Sequence, residues 1–116
     1  MSQSVRFVRR GVRGRIPMNF NIPTVIKSNQ AVVQITAGEI QDSSTSHPIG
    51  GPADQKFKYH LGDANIWVSN ISPHHNDNFN GEPGGVGFIL HVDWPTPLNV
   101  GITITVEDKP PFEIQN

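Results

Sequence analysis

Apolar and polar residues alternate most regularly in the last third of the chain. Between positions 85 and 94, one face of an extended strand would carry Val86, Phe88, Leu90, Val92 and Trp94. Between positions 98 and 107, the corresponding face would carry Leu98, Val100, Ile102, Ile104 and Val106. A period of two residues is typical of a strand that buries one face. The pattern therefore predicts two half-buried strands in this part of the chain.

The short connection at residues 95–97 favours pairing these two strands in a β-hairpin. The predicted cross-strand pairs are Trp94–Leu98, Val92–Val100 and Leu90–Ile102, so that each apolar residue meets an apolar partner. On the opposite face, His91 would lie beside Gly101 and Asp93 beside Asn99. The missing side chain at Gly101 would leave space above His91 for a small ligand.

Shorter segments with β-type patterning occur earlier in the chain. Residues 22–27 and 30–37 predict a second hairpin, and residues 56–60 and 64–71 predict two further strands. No segment has a helical period, and the 10 prolines and 11 glycines are scattered as turn signals. The predicted fold is a single all-β domain over residues 1–116, an antiparallel β-sandwich of roughly six to eight strands. Jelly-roll and immunoglobulin-like topologies are both compatible with the pattern.

Charge separates the first fifteen residues from the rest of the chain. All five arginines lie there, at Arg6, Arg9, Arg10, Arg13 and Arg15. The remainder holds four lysines against ten carboxylates, a balance of −6. Residues 1–15 are therefore predicted to be a basic N-terminal arm or an edge strand. Such an arm would contact anions or a neighbouring subunit.

Composition excludes several kinds of site. Without cysteine the chain has no disulfide, no thiolate metal site and no cysteine nucleophile. No apolar run approaches the ~20 residues of a membrane span, and no signal peptide is recognisable in the given chain. Neither a nucleophile elbow nor a phosphate-binding glycine loop is present. The sequence therefore predicts a protein that is not an enzyme and that needs no cofactor, and it leaves the compartment open.

Two polar stretches, residues 38–55 and 72–85, are candidate binding loops. The second is rich in groups that hydrogen-bond hydroxyls, namely Asn76, Asp77, Asn78 and Asn80. It also contains three weak candidates for metal ligands, His74, His75 and Asp77. Adjacent histidines rarely both reach one ion, and the spacings of zinc enzymes are absent. No metal site is therefore predicted.

The orientation of the strand at 64–71 decides how its aromatic residue is used. If Ile66 and Val68 face the core, Trp67 is exposed and Tyr59 joins it as a stacking platform; the opposite assignment buries Trp67. His91 and Asp93 share one strand face, as an acid–base pair or as a polar surface pair. Exposed aromatic rings beside amides and carboxylates are suited to sugars, whose rings have apolar faces and polar edges.

The preferred functional hypothesis is a non-catalytic binding module, lectin-like in its chemistry and acting as a small homo-oligomer with a glycan ligand. Its predicted ligand-binding residues are Tyr59, Trp67, Asn76, Asp77, Asn78, Asn80, His91 and Asp93. One alternative is a self-assembling coat-like or scaffold-like subunit that uses its arginine-rich arm. A second alternative is a histidine-dependent metalloprotein or enzyme. Nucleic acid is the least favoured partner, because the acidic body opposes a broad phosphate contact.

Overall fold

The computed structural model describes residues 3–23, 25–26, 31–42, 57–75, 83–107 and 114–115. They contain seven strands, which are β1 (Gln3–Val12), β2 (Gly14–Asn21), β3 (Val32–Asp42), β4 (Phe57–Tyr59), β5 (Asn65–His74), β6 (Gly85–Asp93) and β7 (Leu98–Glu107). The strands form two antiparallel sheets, one of four strands in the order β1-β7-β3-β4 and one of three in the order β2-β6-β5. The predicted all-β class is confirmed. Within these ranges, no helix has the length and apolar character required to cross a membrane.

The arginine-rich start of the chain is built into both sheets. β1 is an edge strand paired with β7, and β2 is an edge strand paired with β6. The chain passes from one sheet to the other around Gly11 and Gly14, whose φ angles of 64° and 83° are left-handed. Glycine adopts this conformation without the steric penalty of a Cβ. Residues 3–12 are therefore an edge strand of their own molecule, and the interpretation as a free arm does not apply to them.

β2 was not anticipated from the sequence, although its alternation is regular. Ile16, Met18 and Phe20 pack against the hydrophobic core, while Pro17 lies on the other face of the strand. A proline is tolerated there because β2 pairs on one side only, so that one row of its backbone N–H groups has no strand to bond.

The predicted strand at residues 22–27 is wrong where the structure describes it. The N–H groups of Val25 and Ile26 both donate to the carbonyl of Ile22, at 3.0 and 2.8 Å, so the chain turns there. The predicted hairpin with residues 30–37 is wrong as well, because β3 pairs with β7 and β4. Ile26 is nevertheless fully buried and contributes to the core.

The faces predicted for β6 and β7 are correct. Their alternate residues Val86, Phe88, Leu90, Val92, Val100, Ile102, Ile104 and Val106 are buried in one hydrophobic cluster. The predicted hairpin between them is wrong, because β6 and β7 belong to different sheets. A period of two fixes which face of a strand is buried, but it does not fix which strand lies alongside.

This correction changes the surroundings of two predicted site residues. His91 lies between Arg15 and Trp67 in the three-stranded sheet, whereas Gly101 lies between Val8 and Gly38 in the four-stranded sheet. The predicted neighbourhood of His91 and Gly101 is therefore wrong, and so is that of Asp93 and Asn99. Because Gly101 lies in the other sheet, its missing side chain does not create space above His91.

Both predicted loops are shorter than expected at their described ends. β3 continues to Asp42, so residues 38–42 of the first predicted loop are strand. β5 continues to His74 and β6 begins at Gly85, which shortens the second. Residues 43–55 of the first predicted loop and 76–82 of the second lie outside the described ranges, as does Lys56 of the predicted strand 56–60.

Candidate functional site

The three-stranded sheet directs one face towards the hydrophobic cluster and presents the other, which we call its outer face. On β5, Ile66 and Val68 pack against the cluster, so Trp67 points outwards and is 46% exposed. This decides between the two orientations that the sequence left open. The strand register then places Arg15, His91 and Trp67 in one row across the outer face, one from each strand.

Trp67 and His91 form the most defined side-chain arrangement on this face. Their rings are stacked with centroids 4.5 Å apart and planes inclined by 4°. His91 Nε2 also shares a hydrogen bond of 2.7 Å with the hydroxyl of Ser69. The stack and the hydrogen bond together fix the imidazole, and the imidazole in turn supports one face of the indole. β5 is the edge strand of its sheet, and within the described ranges no strand is hydrogen-bonded to its other side.

Polar and charged groups surround this stacked pair. Arg15 is exposed on the far side of His91, and Asp93 lies two residues along β6, opposite the exposed Asn65. The outer face thus brings together three residues predicted to bind a ligand, Trp67, His91 and Asp93. The same face carries Arg15 and Asn65, whose hydrogen-bonding side chains were not among the predicted ligand-binding residues.

A second polar cluster lies further along the same face. His74 Nε2 donates to Asn19 Oδ1 at 2.8 Å, and Asn19 Nδ2 donates to Asn21 Oδ1 at 2.6 Å. The three side chains border an open cavity of about 310 Å³, together with Pro83. We refer to them below as the Asn-His cluster.

Glycines of the central strand allow the Asn-His cluster to form. Gly85 lies between Asn21 and His74 in the register, and a Cβ at this position would collide with the carbonyl of Phe20 and come within 2.8 Å of the Asn21 Cα. With no side chain on β6 at this point, His74 on β5 reaches across the strand to Asn19 on β2.

An irregularity in β5 places Trp67 and His74 on the same face. The register with β6 shifts between Ser69 and Ser72, where three residues of β5 span the distance of two on β6. Asn70, within this bulge, has a φ of 57°. Side chains of a regular strand alternate, so residues 67 and 74 would otherwise point to opposite faces. The bulge shifts the alternation by one and brings both residues to the outer face.

Tyr59, which was predicted to act with Trp67, belongs to the other sheet. Its ring lies against Gly38 and Gly101, where added Cβ atoms would meet it at 3.1 and 3.2 Å. The Arg6 guanidinium carbon lies 5.8 Å from the ring centroid, in cation–π contact. The ring is 47% exposed and stands apart from the outer face of the three-stranded sheet.

The five arginines are exposed but do not form one cluster. Arg6 Nε donates to Thr103 Oγ1 at 2.9 Å, and Arg13 Nε donates to the carbonyl of Trp94 at 3.1 Å. Arg9 and Arg10 also belong to β1, whereas Arg15 belongs to β2 in the other sheet. The structure thus distributes these charges over two edge strands and the crossing between them.

The remaining candidate residues lie at or beyond the end of β5. His74 is engaged with Asn19, and His75 is exposed after the last strand residue. Asn76, Asp77, Asn78 and Asn80 lie outside the described ranges. Among the residues that are described, no three histidines or carboxylates are grouped closely enough to hold a metal ion.

Sequence reasoning missed Ser69, Asn19 and Asn21 as members of the site. A signal for the two asparagines existed, because they alternate with the apolar residues Met18 and Phe20 of β2. Ser69 could be recognised only through the bulge and the pairing of β5 with β6. Comparison with protein-family models, curated proteins and solved structures finds no match for this chain.

Proposed function

We propose that the chain is a β-sandwich whose three-stranded sheet binds a neutral carbohydrate on its outer face. The observation that carries this proposal is the exposed indole of Trp67, held flat against His91. Its free face offers a rigid apolar surface to one side of a sugar ring. Because His91 and Ser69 already fix the ring, little side-chain freedom is lost when a ligand binds.

The polar groups around Trp67 suit the hydroxyls of a stacked sugar. Asp93 accepts hydrogen bonds, Arg15 donates them, and the amide of Asn65 does both. All three are exposed and lie within one or two register positions of the stack. An aromatic platform with a polar rim is a general arrangement for ligands that are apolar on their faces and polar at their edges.

The sandwich part of the proposal is supported by the shared core. Each sheet contributes one apolar face to the same hydrophobic cluster, through β6 in one sheet and β7 in the other. Two sheets that each bury one apolar face do so most simply by packing face to face as two layers. Each outer face then remains available to solvent and ligands.

One observation favours an enzyme as a second candidate function. Ser69 Oγ and His91 Nε2, 2.7 Å apart, have the separation of a nucleophile and its general base. A fluorophosphonate probe that labels reactive serines distinguishes the two functions. Labelling that is lost in Ser69→Ala would establish the enzyme, and a purely binding protein is expected to remain unlabelled.

A glycan array with the full chain tests the binding proposal. We expect neutral glycans to be retained by the native protein and lost by Trp67→Ala. Leu61→Ala is the control, because Leu61 is fully exposed and lies outside the site. Absence of glycan binding by the native chain, or binding that Trp67→Ala leaves unchanged, would overturn the proposal.

A further inference from the structure

We propose that the outer face of the three-stranded sheet is a groove for an oligosaccharide chain, with Trp67 at one end and the Asn-His cluster at the other. This inference rests on the proposed function and specifies its ligand class. It predicts a site that a single sugar ring fills only in part.

The two ends are aligned along the central strand. Trp67 is the register partner of His91, and His74 is the partner of Gly85 on the same strand. The two rows are six positions apart along β6, which corresponds to about 20 Å of extended strand. A monosaccharide is too short to contact both ends, whereas an oligosaccharide lying along β6 reaches from one to the other.

The surface between the two ends lacks tall side chains towards the Asn-His cluster. The outward positions of β6 are, in order from the Trp67 end, His91, Ile89, Gly87 and Gly85. At Gly87 an added Cβ would make ordinary van der Waals contacts, the nearest with the carbonyl of Met18 at 3.8 Å, so a small side chain fits there without a clash. Asn19, the register partner of Gly87, borders the cavity of about 310 Å³.

The chemistry of the far end suits uncharged hydroxyl groups. Among the described residues, those that border the cavity are Asn19, Asn21, His74 and Pro83, and none of these four is a carboxylate, lysine or arginine. The internal hydrogen bonds use His74 Nε2, both Oδ1 and Nδ2 of Asn19, and Asn21 Oδ1. Within the described ranges they leave His74 Nδ1 as an acceptor and the Asn21 amide hydrogens as donors.

The bulge at Asn70 is an independent feature that favours a shared ligand. It is the irregularity that brings Trp67 and His74 to one face, and it holds Asn70 at a φ of 57°. Bulges commonly re-aim side chains next to binding sites. Without it, the two ends of the groove would lie on opposite sides of the sheet.

The groove is tested by titrating malto-, cello-, manno- and chito-oligosaccharides of one, two, four and six rings by calorimetry. Three variants are compared with the native chain: Trp67→Ala at one end, Asn19→Ala at the other, and Gly87→Val between them. Gly87→Val adds bulk to the surface of β6 beside Asn19, its register partner, whose Oδ1 would lie 3.9 Å from the added Cβ. Thermal unfolding verifies that each variant is folded. If Asn19→Ala does not fold, Gly87→Val still tests the groove.

In the native chain we expect the six-ring form of one series to bind about tenfold or more tightly than its one-ring form. Asn19→Ala and Gly87→Val should remove about fivefold to tenfold of this gain and leave one-ring binding unchanged. Trp67→Ala should weaken binding at every length.

Three results would overturn the groove in different ways. If affinity does not increase with length, the site holds one ring only. If the increase survives both Asn19→Ala and Gly87→Val, the additional rings bind away from the Asn-His cluster. Either result overturns the groove and leaves the proposed function standing. If the native chain binds none of the four series at any length, the groove and the proposed carbohydrate function fail together.

Discussion

The indole of Trp67 lies parallel to the imidazole of His91 across the pairing of β5 with β6, with 4.5 Å between ring centroids. Stacked rings at this separation stabilise each other beyond the apolar area that they bury. On an exposed strand face, such a contact also holds the indole upright. The same pair therefore contributes to stability and to the shape of the proposed site.

A double-mutant cycle on Trp67 and His91 measures this contact. We expect the free energies of unfolding of Trp67→Ala, His91→Ala and the double variant to give a coupling of about 0.5–1.5 kcal/mol in urea. Trp67 and Thr105 are the control pair, because they lie in different sheets and their effects should add. Additive effects for Trp67 and His91 as well would show that the stack has no energetic significance.

Substitution of Asn70 tests whether the bulge depends on its left-handed residue. Asn70→Val should lower the free energy of unfolding by about 1–2 kcal/mol, because a β-branched residue is strained at positive φ. Asn70→Gly should be neutral or stabilising. Asn65→Val is the matched control, an exposed asparagine of the same strand without positive φ. Equal losses at positions 65 and 70 in urea denaturation would contradict this explanation.

The faces of β6 and β7 were predictable because burial imposes a period of two, which Val92 and Val100 both obey. Their pairing was not, since two strands of different sheets can bury the same pattern in one core. A signal against the hairpin existed in the connection Pro95–Thr96–Pro97. It contains neither glycine nor asparagine, the residues that tight hairpin turns require at positive φ.

The candidate site was predictable only in part, for a related reason. Trp67, His91 and Asp93 were chosen for their chemistry, and the register brings them together on one face. Tyr59 was chosen by the same criterion, but its strand joins the other sheet. The contribution of His74 depends on the bulge in β5. Such a bulge cannot be recognised in the sequence before the pairing of β5 with β6 is known.

Alanine substitutions at Gly85 and Gly87 test whether β6 requires glycine at each of these two outward positions. Gly85→Ala should lower the free energy of unfolding by about 1–3 kcal/mol, because its Cβ would press on the backbone of Phe20 and Asn21. Gly87→Ala should be neutral or slightly stabilising, since its Cβ has space and alanine restricts the unfolded chain. Urea denaturation of the two variants decides. If the Gly85→Ala protein is as stable as the Gly87→Ala protein, β2 and β6 can move apart at Gly85 without a loss in the free energy of unfolding.

Tyr59 is expected to stabilise the four-stranded sheet without binding the sugar. Ile40 is 5% exposed yet lies outside the main cluster, in the patch where the Tyr59 ring covers Gly101. Tyr59→Ala should lower the free energy of unfolding by about 1–2 kcal/mol through lost apolar burial. Tyr59→Phe retains the ring and controls for the hydroxyl. Loss of glycan affinity in a folded Tyr59→Ala protein would return Tyr59 to the binding site.

Deletion of residues 1–15 separates a structural strand from an assembly arm. A detachable arm could be removed from a subunit that stays folded. In this structure the deletion removes β1 and the first residues of β2, including Val5 and Phe7, which pack against the core. It also exposes the edge of β7, so we expect the far-ultraviolet circular dichroism of a folded β protein to be lost. The control replaces all five arginines with glutamine, which removes the charge and keeps both strands.

Light scattering of the full chain and of the glutamine variant completes this test. The binding hypothesis predicts one small homo-oligomeric mass for both, because the arginines are spread over edge strands, and Arg6 and Arg13 bond within the molecule. A large assembly that dissociates in the glutamine variant would instead favour the self-assembling subunit. A truncated chain that stays folded, with native thermal stability, would contradict the role of β1 in the sheet. It would support the interpretation of residues 1–15 as a detachable arm.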